Sequence, residues 1–304
     1  MLISIDHGNK QIKTIHCAPF TSGLVESESK PFGSHVLKYK GKYYQVTDRR
    51  IPYRKDKTED ERFFILTLVA IAEEMEAMHF TGHGVTAVQL AVGLPPAYYG
   101  ANYQKFTQYF MGRGIINYTY SGKSYAIQIN DVGCYPQSYS AALTMFQTLK
   151  DIPSALVLDI GGMTADYLEI KYGEGDLSVC DSLENGVILL YNQIESKVRA
   201  EQDILLSEQQ IDSILEEQEV QLPTNVVDTV EKLAQEFIAD LLSTLREHQL
   251  ELKSKPVIFV GGGSILLRKQ IEKSGKVPYA MFVEDIRANA KGYELLYQLS
   301  KRGG

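Results

Sequence analysis

Ala155-Leu156-Val157-Leu158-Asp159-Ile160-Gly161-Gly162-Met163-Thr164-Ala165-Asp166 reads as an apolar strand that ends in a carboxylate and turns through two adjacent glycines. Paired glycines let a backbone approach a phosphate closely, and Thr164 adds a hydroxyl donor. An Asp at the end of a buried strand is costly unless it meets a cation, water or a donor. Mg²⁺ suits such a place, because it takes one or two carboxylates and completes its shell with water and substrate phosphates. A turn with a capping Asp is the plainer alternative.

The same plan opens the chain. Leu2-Ile3-Ser4-Ile5-Asp6-His7-Gly8-Asn9-Lys10 is a short apolar strand, an Asp and a glycine turn, followed by Gln11-Ile12-Lys13. Glycine in a hairpin turn permits φ > 0, so successive N–H groups can converge on an anion, with Lys13 pointing a charge at it. Here too an ordinary hairpin with a charged tip is the plainer alternative. A third element, Val257-Ile258-Phe259-Val260-Gly261-Gly262-Gly263-Ser264, is a strand running through three glycines into a helix. That layout packs backbone against a nucleotide and aims a helix N-terminus at phosphate. Two Asp-Gly hairpins and one glycine-rich turn point to two related halves facing each other across a phosphate-bearing ligand.

The 304 residues suffice for two cored domains. A hydrophobic fraction of 44% and a net charge of −7 describe an ordinary globular protein. The acidic balance argues against a chain that wraps a phosphate backbone directly. Cys17, Cys134 and Cys180 are widely spaced without a CxxC, so neither zinc nor a disulfide framework is expected, and a reducing cytoplasm fits. The chain opens on a strand with no signal-peptide pattern, and the apolar run from Phe63 to Ala72 is too short to span a bilayer. No membrane association is expected.

Periodicity and turn signals predict hairpins over 2–17 and 36–46, a helix over 60–79, a strand over 85–92 and a helix over 102–112. Strands over 115–120 and 124–129 and a helix over 137–149 follow. The second half reads as strands at 155–159, 166–171 and 177–181, helices at 187–200, 207–216 and 224–248, and the strand 257–260. A helix over 265–273, a strand over 279–282 and a helix over 288–301 close the chain. The polar stretch 172–176 resembles a linker, and the basic stretch Arg49, Arg50, Arg54, Lys55, Lys57 a solvated loop or a contact surface.

The motifs, in this order, resemble those of the actin, sugar-kinase and heat-shock chaperone superfamily of ATPases. The first hairpin is similar to its first phosphate motif, 132–141 to its first connecting segment and 156–170 to its second phosphate motif. Residues 257–268 are similar to its adenosine motif and 287–293 to its second connecting segment. Together they frame essentially the whole chain. Within the superfamily the chain most resembles the bacterial ParM/StbA plasmid-segregation actins, through its short length, the segment Ile51-Pro52-Tyr53-Arg54-Lys55-Asp56-Lys57 and the phrase Gly93-Leu94-Pro95-Pro96.

The resemblance implies an α/β fold of two RNase H-like domains facing each other across a nucleotide cleft. The first would cover 1–150 with the C-terminal segment 281–304, and the second 151–280. It implies ATP or GTP as ligand, with Mg²⁺ held by Asp6 and Asp159, mainly through water. Gly8, Asn9, Lys10 and Gln11, with Lys13, would wrap the phosphates from one side, and Gly161, Gly162, Met163 and Thr164 from the other. Gly261, Gly262, Gly263 and Ser264 would lie at the adenosine, and Gly186 near the ribose. Gln137, after a Pro and at a helix start, matches the position that orients the attacking water in relatives. Gln is no strong base, but it donates and accepts at once, so slow hydrolysis is expected. A helix-capping role for Gln137 stays open, with Asp131 next in line.

The implied activity is an ATPase coupled to head-to-tail polymerisation, segregating plasmid DNA through a separate DNA-binding adaptor without binding nucleic acid itself. A non-polymerising ATPase or a kinase on the same scaffold, and a cell-shape actin homologue, are the alternatives. A kinase would want an extra Asp for the acceptor hydroxyl and larger domains. A chaperone would want a substrate-binding region beyond the second domain, and a shape-determining actin a membrane-attaching element.

Overall fold

The computed structural model describes residues 1–82 and 84–302. The chain divides into two compact units, Met1–Thr144 with Arg287–Gly304, and Met145–Ile286. Gly303 and Gly304, the end of the expected C-terminal segment, lie outside the described residues.

The first unit holds β1 (Leu2–His7), β2 (Gln11–Lys13), β3 (Phe20–Thr21), β4 (Leu24–Ser27), β5 (Val36–Tyr39) and β6 (Lys42–Val46). Then come α1 (Glu61–Ala77), β7 (Thr86–Leu94), α2 (Pro96–Phe110), β8 (Ile115–Tyr120), β9 (Lys123–Pro136) and α3 (Tyr139–Leu143). Its sheet runs β3-β2-β1-β7-β9-β8-β5-β6-β4. The first three strands form antiparallel hairpins, and β7 and β9 then add parallel on the other side of β1. Parallel neighbours need crossover connections, and α1 and α2 lie in the two that the chain makes here. Asp60 caps α1 by accepting from the Arg62 N–H, and the run from Phe63 to Ala72 is buried throughout.

The second unit repeats the plan. It holds α4 (Phe146–Leu149), β10 (Ala155–Ile160), β11 (Ala165–Lys171), β12 (Glu174–Leu183), α5 (Val187–Gln202), α6 (Glu208–Leu215) and α7 (Thr224–Glu247). β13 (Val257–Val260), α8 (Gly262–Leu266), α9 (Arg268–Lys273) and β14 (Ala280–Phe282) follow. The sheet order is β12-β11-β10-β13-β14, with β13 and β14 parallel to β10. Both central strands are buried almost throughout, as strands covered on two faces must be, and their few polar residues, Ser4, Asp6 and His7 in β1 and Asp159 in β10, are buried with them. On α7 Val226, Val230, Phe237, Leu241 and Leu245 are buried along one face.

The last helix, α10 (Ala288–Arg302), belongs to the first unit. It crosses α3 so closely that a β-carbon on Gly292 would lie 1.9 Å from the Ser140 carbonyl oxygen. A β-carbon on Gly93 would lie 2.2 Å from Cζ of the buried Tyr293. Gly292, one of the small residues at the head of this helix, is therefore a packing residue.

Several elements differ from expectation. Residues 172–176 are a tight turn and the start of β12, not a linker. The helix expected over 137–149 starts only after β9 has run to Pro136 and the chain has turned at Ser138, and it is broken into two short ones at Met145, whose torsions are non-helical. The helix expected over 265–273 is broken at Leu267, a fully buried residue with non-helical torsions. The strand expected up to Lys13 and beyond stops there, and β3 and β4, too short to leave a pattern, take over.

Gly292→Ala drives a methyl into backbone that has no room to yield. It is expected to cost about 1–3 kcal/mol, read as a lower urea midpoint. Gly100→Ala, in α2 with open space around its α-carbon, serves as the control and is expected to be neutral or stabilising by about 0.5–1 kcal/mol.

Candidate functional site

In the first unit, three adjacent parallel strands bring their carboxyl ends together, where α/β sheets place ligands. Asp6, near the end of β1, is 3% exposed. Its Oδ1 accepts a 2.9 Å hydrogen bond from Gln137 Nε2, and its Oδ2 lies 3.7 Å from Lys13 Nζ on the paired strand. A carboxylate only accepts, so the amide nitrogen of Gln137 must face it and Oε1 is left as the acceptor on the other side. The Gln137 N–H in turn donates to the Leu94 carbonyl at the end of β7, 2.8 Å away. Sequence reasoning named Asp6, Lys13 and Gln137, and the fold brings all three together.

The turn after β1 is fastened rather than loose. Ser22 Oγ donates to the Gly8 carbonyl (2.5 Å), and the Ser22 N–H to the Lys10 carbonyl (3.1 Å). Gly8 is not among the residues at positive φ, contrary to the expectation for this turn. What excludes a side chain there is space, since its β-carbon would lie 2.6 Å from the Gln11 carbonyl oxygen. Asn9, Lys10 and Gln11 are half-buried along the same turn.

Two further residues support this turn. Unlike the exposed Arg49, Arg54 and Lys55, Lys57 is 8% exposed, and its ammonium donates to the His7 carbonyl while standing 5.6 Å from the Phe63 ring centre. Sequence reasoning missed it because only the tertiary fold carries this lysine from the loop to β1. His7 is fully buried between Phe106 and Phe110, and its Nε2 pairs with Thr67 Oγ1 at 2.8 Å. The Thr67 hydroxyl donates to the Phe63 carbonyl, which leaves its oxygen to accept from the imidazole. Burial first, and the Lys57 charge second, push the His7 pKa down to about 3. Asp131 lies elsewhere: it accepts from Tyr297 Oη (2.5 Å) and Lys301 Nζ (2.6 Å), both on α10, and staples that helix to β9.

In the second unit, Asp159 ends β10 at 7% exposure. Its Oδ1 occupies the space that a β-carbon on Gly261 would need, 2.1 Å away, and Gly261 has φ +85°. Gly261 is thus constrained twice, by torsion and by the carboxylate. Asp166, directly opposite Asp159 across the β10–β11 pair, is 5% exposed and accepts from Thr164 Oγ1 at 3.0 Å. Directly opposed residues share a face, so the two carboxylates stand side by side. Asp166 received no role from the sequence, although alternation along β10 and β11 places it on that face once the register is known.

The Gly161-Gly162-Met163-Thr164 turn is closed by a Gly161 N–H to Thr164 carbonyl bond of 2.8 Å. It is knitted to the start of α5 by Gly186 N–H to Met163 O (3.1 Å) and Val187 N–H to Gly161 O (3.1 Å). Gly186 is the N-cap of α5, and a β-carbon there would lie 2.3 Å from the Gly162 carbonyl oxygen. Of the residues expected at adenosine, Gly261 and Gly262 are half-buried, whereas Gly263 is packed on Ile160 and Val187. Ser264 is fully buried with its hydroxyl unpartnered, so its side chain is not at a surface. Among the described residues no group of three or more His, Cys, Asp or Glu is arranged to hold a metal. No helix among them is long and apolar enough to cross a membrane.

Two sheets of one topology, each with an Asp at the end of its central strand and a glycine turn beyond it, define the two-domain actin-like α/β fold. Residues 4–139 match the family model of the N-terminal domain of actin-like proteins, and 157–273 that of the C-terminal region of archaeal MreB-like actin homologues. The chain belongs to the actin-like superfamily. Among solved structures, an archaeal actin homologue in complex with ADP superposes with a TM-score of 0.75 at 19% identity, over 98% of this chain and 99% of that one. A 15-stranded ParM filament from Clostridium botulinum gives 0.74 at 17%, over 98% and 99%. Bacillus thuringiensis ParM with ATP gives 0.70 at 13%, over 99% of each chain. No curated protein matches by sequence.

The buried imidazole predicts an acid-sensitive fold. An unfolded histidine takes up a proton near pH 6.5, whereas folded His7 resists it down to about 3. Between those values the unfolded chain binds more protons, so stability falls as pH falls. By pH 5 the loss due to His7 is about 2 kcal/mol. His7→Gln keeps an N–H for Thr67 and is expected to flatten the slope of urea stability between pH 6.5 and 4.5. A slope unchanged in this variant would place the titrating group elsewhere.

Proposed function

We propose that the chain is a nucleotide-hydrolysing actin-like protein that polymerises head to tail when ATP, or GTP, is bound, and that it segregates plasmid DNA through a separate DNA-binding adaptor. The single observation that carries the hydrolytic reading is the Gln137–Asp6 hydrogen bond. It commits the amide nitrogen of Gln137 to a buried carboxylate and leaves Oε1 to accept from a water. Membership of the superfamily supports nucleotide as the ligand, as do structural relatives described with ADP and with ATP.

In this reading Gln137 orients the attacking water without acting as a strong base, which makes turnover slow. Asp6 and Asp159 would hold Mg²⁺, mainly through water. Both are buried oxygen donors at strand ends, the hard, partly hydrated setting that this ion accepts. When bound, Mg²⁺ neutralises charge on the phosphates. Gly8 to Gln11 and Lys13 engage the phosphates from one unit, and Gly161 to Thr164 from the other. Gly261 and Gly262 offer backbone to the adenosine, with Gly263, Ser264 and Gly186 shaping the turns behind them. In this reading the two expected domains, 1–150 with 281–304 and 151–280, close on bound nucleotide, which makes subunit addition depend on it. A heterologous contact that does not close yields a filament. The relative described as a filament supports self-association, and the net charge of −7 favours an adaptor over direct DNA contact.

High-speed pelleting with ATP, with ADP and without nucleotide tests polymerisation. Sedimentation that depends on ATP is expected, and a nucleotide-bound protein that stays in the supernatant at every concentration would sink the filament reading. Asp159→Ala is expected to abolish Mg-ATP hydrolysis while the chain stays folded by circular dichroism. Gln137→Ala is expected to slow hydrolysis by about 100-fold with nucleotide binding retained. Undiminished turnover in either variant would move its assigned role to another residue.

A further inference from the structure

Ser138 joins the end of β9 to α3 with φ 62° and ψ −59°. The Tyr139 N–H donates to the Gln137 carbonyl at 2.5 Å, spanning one residue, so Ser138 is the centre of a γ-turn of the positive-φ kind. That turn is rare and strained for any residue with a β-carbon. It also lies outside the left-handed helical well, where polar side chains find relief, because ψ has the opposite sign. Ser138 does not stabilise the turn with its own side chain: it is fully buried and its hydroxyl has no hydrogen-bond partner.

The turn is held from outside. The Ser138 N–H donates to Asn289 Oδ1 at 3.0 Å, from the start of α10. On one side the Gln137 N–H is tied to the end of β7, and on the other Ser140 Oγ donates to the Pro136 carbonyl at 2.6 Å. The strained residue is thus adjacent to the one whose carboxamide meets Asp6. A serine freed from Asn289 gains by relaxing to negative φ, and that relaxation rotates the Gln137–Ser138 peptide and withdraws the carboxamide.

We propose that Asn289 and Ser138 act together as positioning residues: the Asn289 carboxamide holds Ser138 in the strained γ-turn, and the turn keeps Gln137 on Asp6. The proposal rests on the reading of Gln137 as the residue that orients water. It makes that orientation conditional on the start of α10, far away in sequence. Glycine at 138 would accept the same torsions without strain and would not need to be held.

The test is a double-mutant cycle in the full chain, with kcat and KM for ATP hydrolysis and the thermal midpoint read for each protein. Asn289→Ala is expected to lower kcat about ten-fold with KM changed less than about two-fold. Ser138→Gly alone is expected to keep kcat and to have an equal or higher midpoint. Ser138→Gly combined with Asn289→Ala is expected to recover most of the lost kcat. Should Asn289→Ala not fold, Asn289→Gln, whose longer arm misplaces the acceptor, replaces it. Full kcat in the Asn289 variant, or a double variant no better than that single one, overturns the proposal. Should the unmodified protein hydrolyse no nucleotide, the reading of Gln137 fails on its own. The positioning is then read from ¹⁵N NMR, as solvent exchange of the Gln137 side-chain amide. Exchange accelerated by Asn289→Ala and slowed again by Ser138→Gly supports the proposal, and exchange indifferent to both overturns it.

Discussion

A carboxylate at the end of a buried central strand governs the local structure of each unit. Such a group is expensive to desolvate, so the surroundings must supply donors or charge. Around Asp6 they are Gln137 from the end of β9 and Lys13 from the neighbouring strand. Around Asp159 the constraint takes a steric form: the carboxylate fills the volume of a missing β-carbon, so Gly261 can be nothing larger.

The supports of the first carboxylate extend outward in a chain of dependence. The turn beyond β1 is pinned by Ser22 on one flank and by the Lys57 ammonium on another. His7 beneath it is held neutral by burial, which avoids a second cation beside Lys57. Gln137 is itself tied to β7 and follows into a γ-turn that Asn289 holds from α10. The costly backbone geometry thus stands directly beside the side chain that meets Asp6.

The two sheets share a five-strand plan and differ in their accessories. The first sheet continues beyond its five-strand core through β8, β5, β6 and β4, while the second stops at β14 and builds its bulk from α5, α6 and α7. The glycine turns are anchored differently as well, by a serine hydroxyl in one unit and by the N-terminus of α5 in the other.

Much of this architecture was legible in the chain alone. The apolar runs at Leu2–Ile5, Ala155–Leu158 and Val257–Val260, each stopped by an Asp or by glycines, identified the central strands and the turns beyond them, because strand burial and glycine freedom are local properties. Asp6 and Lys13 stood out within the first of these motifs and Gln137 through the family resemblance, and the fold brings the three side chains together. What the chain could not disclose depends on register and on long-range packing. Lys57 looked like one more solvated cation until the fold brought it under β1. Asp166 acquired its place beside Asp159 only through strand pairing. The break at Leu267 and the γ-turn at Ser138 leave no periodic signature, since neighbours distant in sequence impose them. Composition and pattern thus determined which segments form the core and where the acidic turns fall. Tertiary structure alone decided which distant side chains hold those turns, because burial and hydrogen-bond geometry exist only once the sheets are assembled.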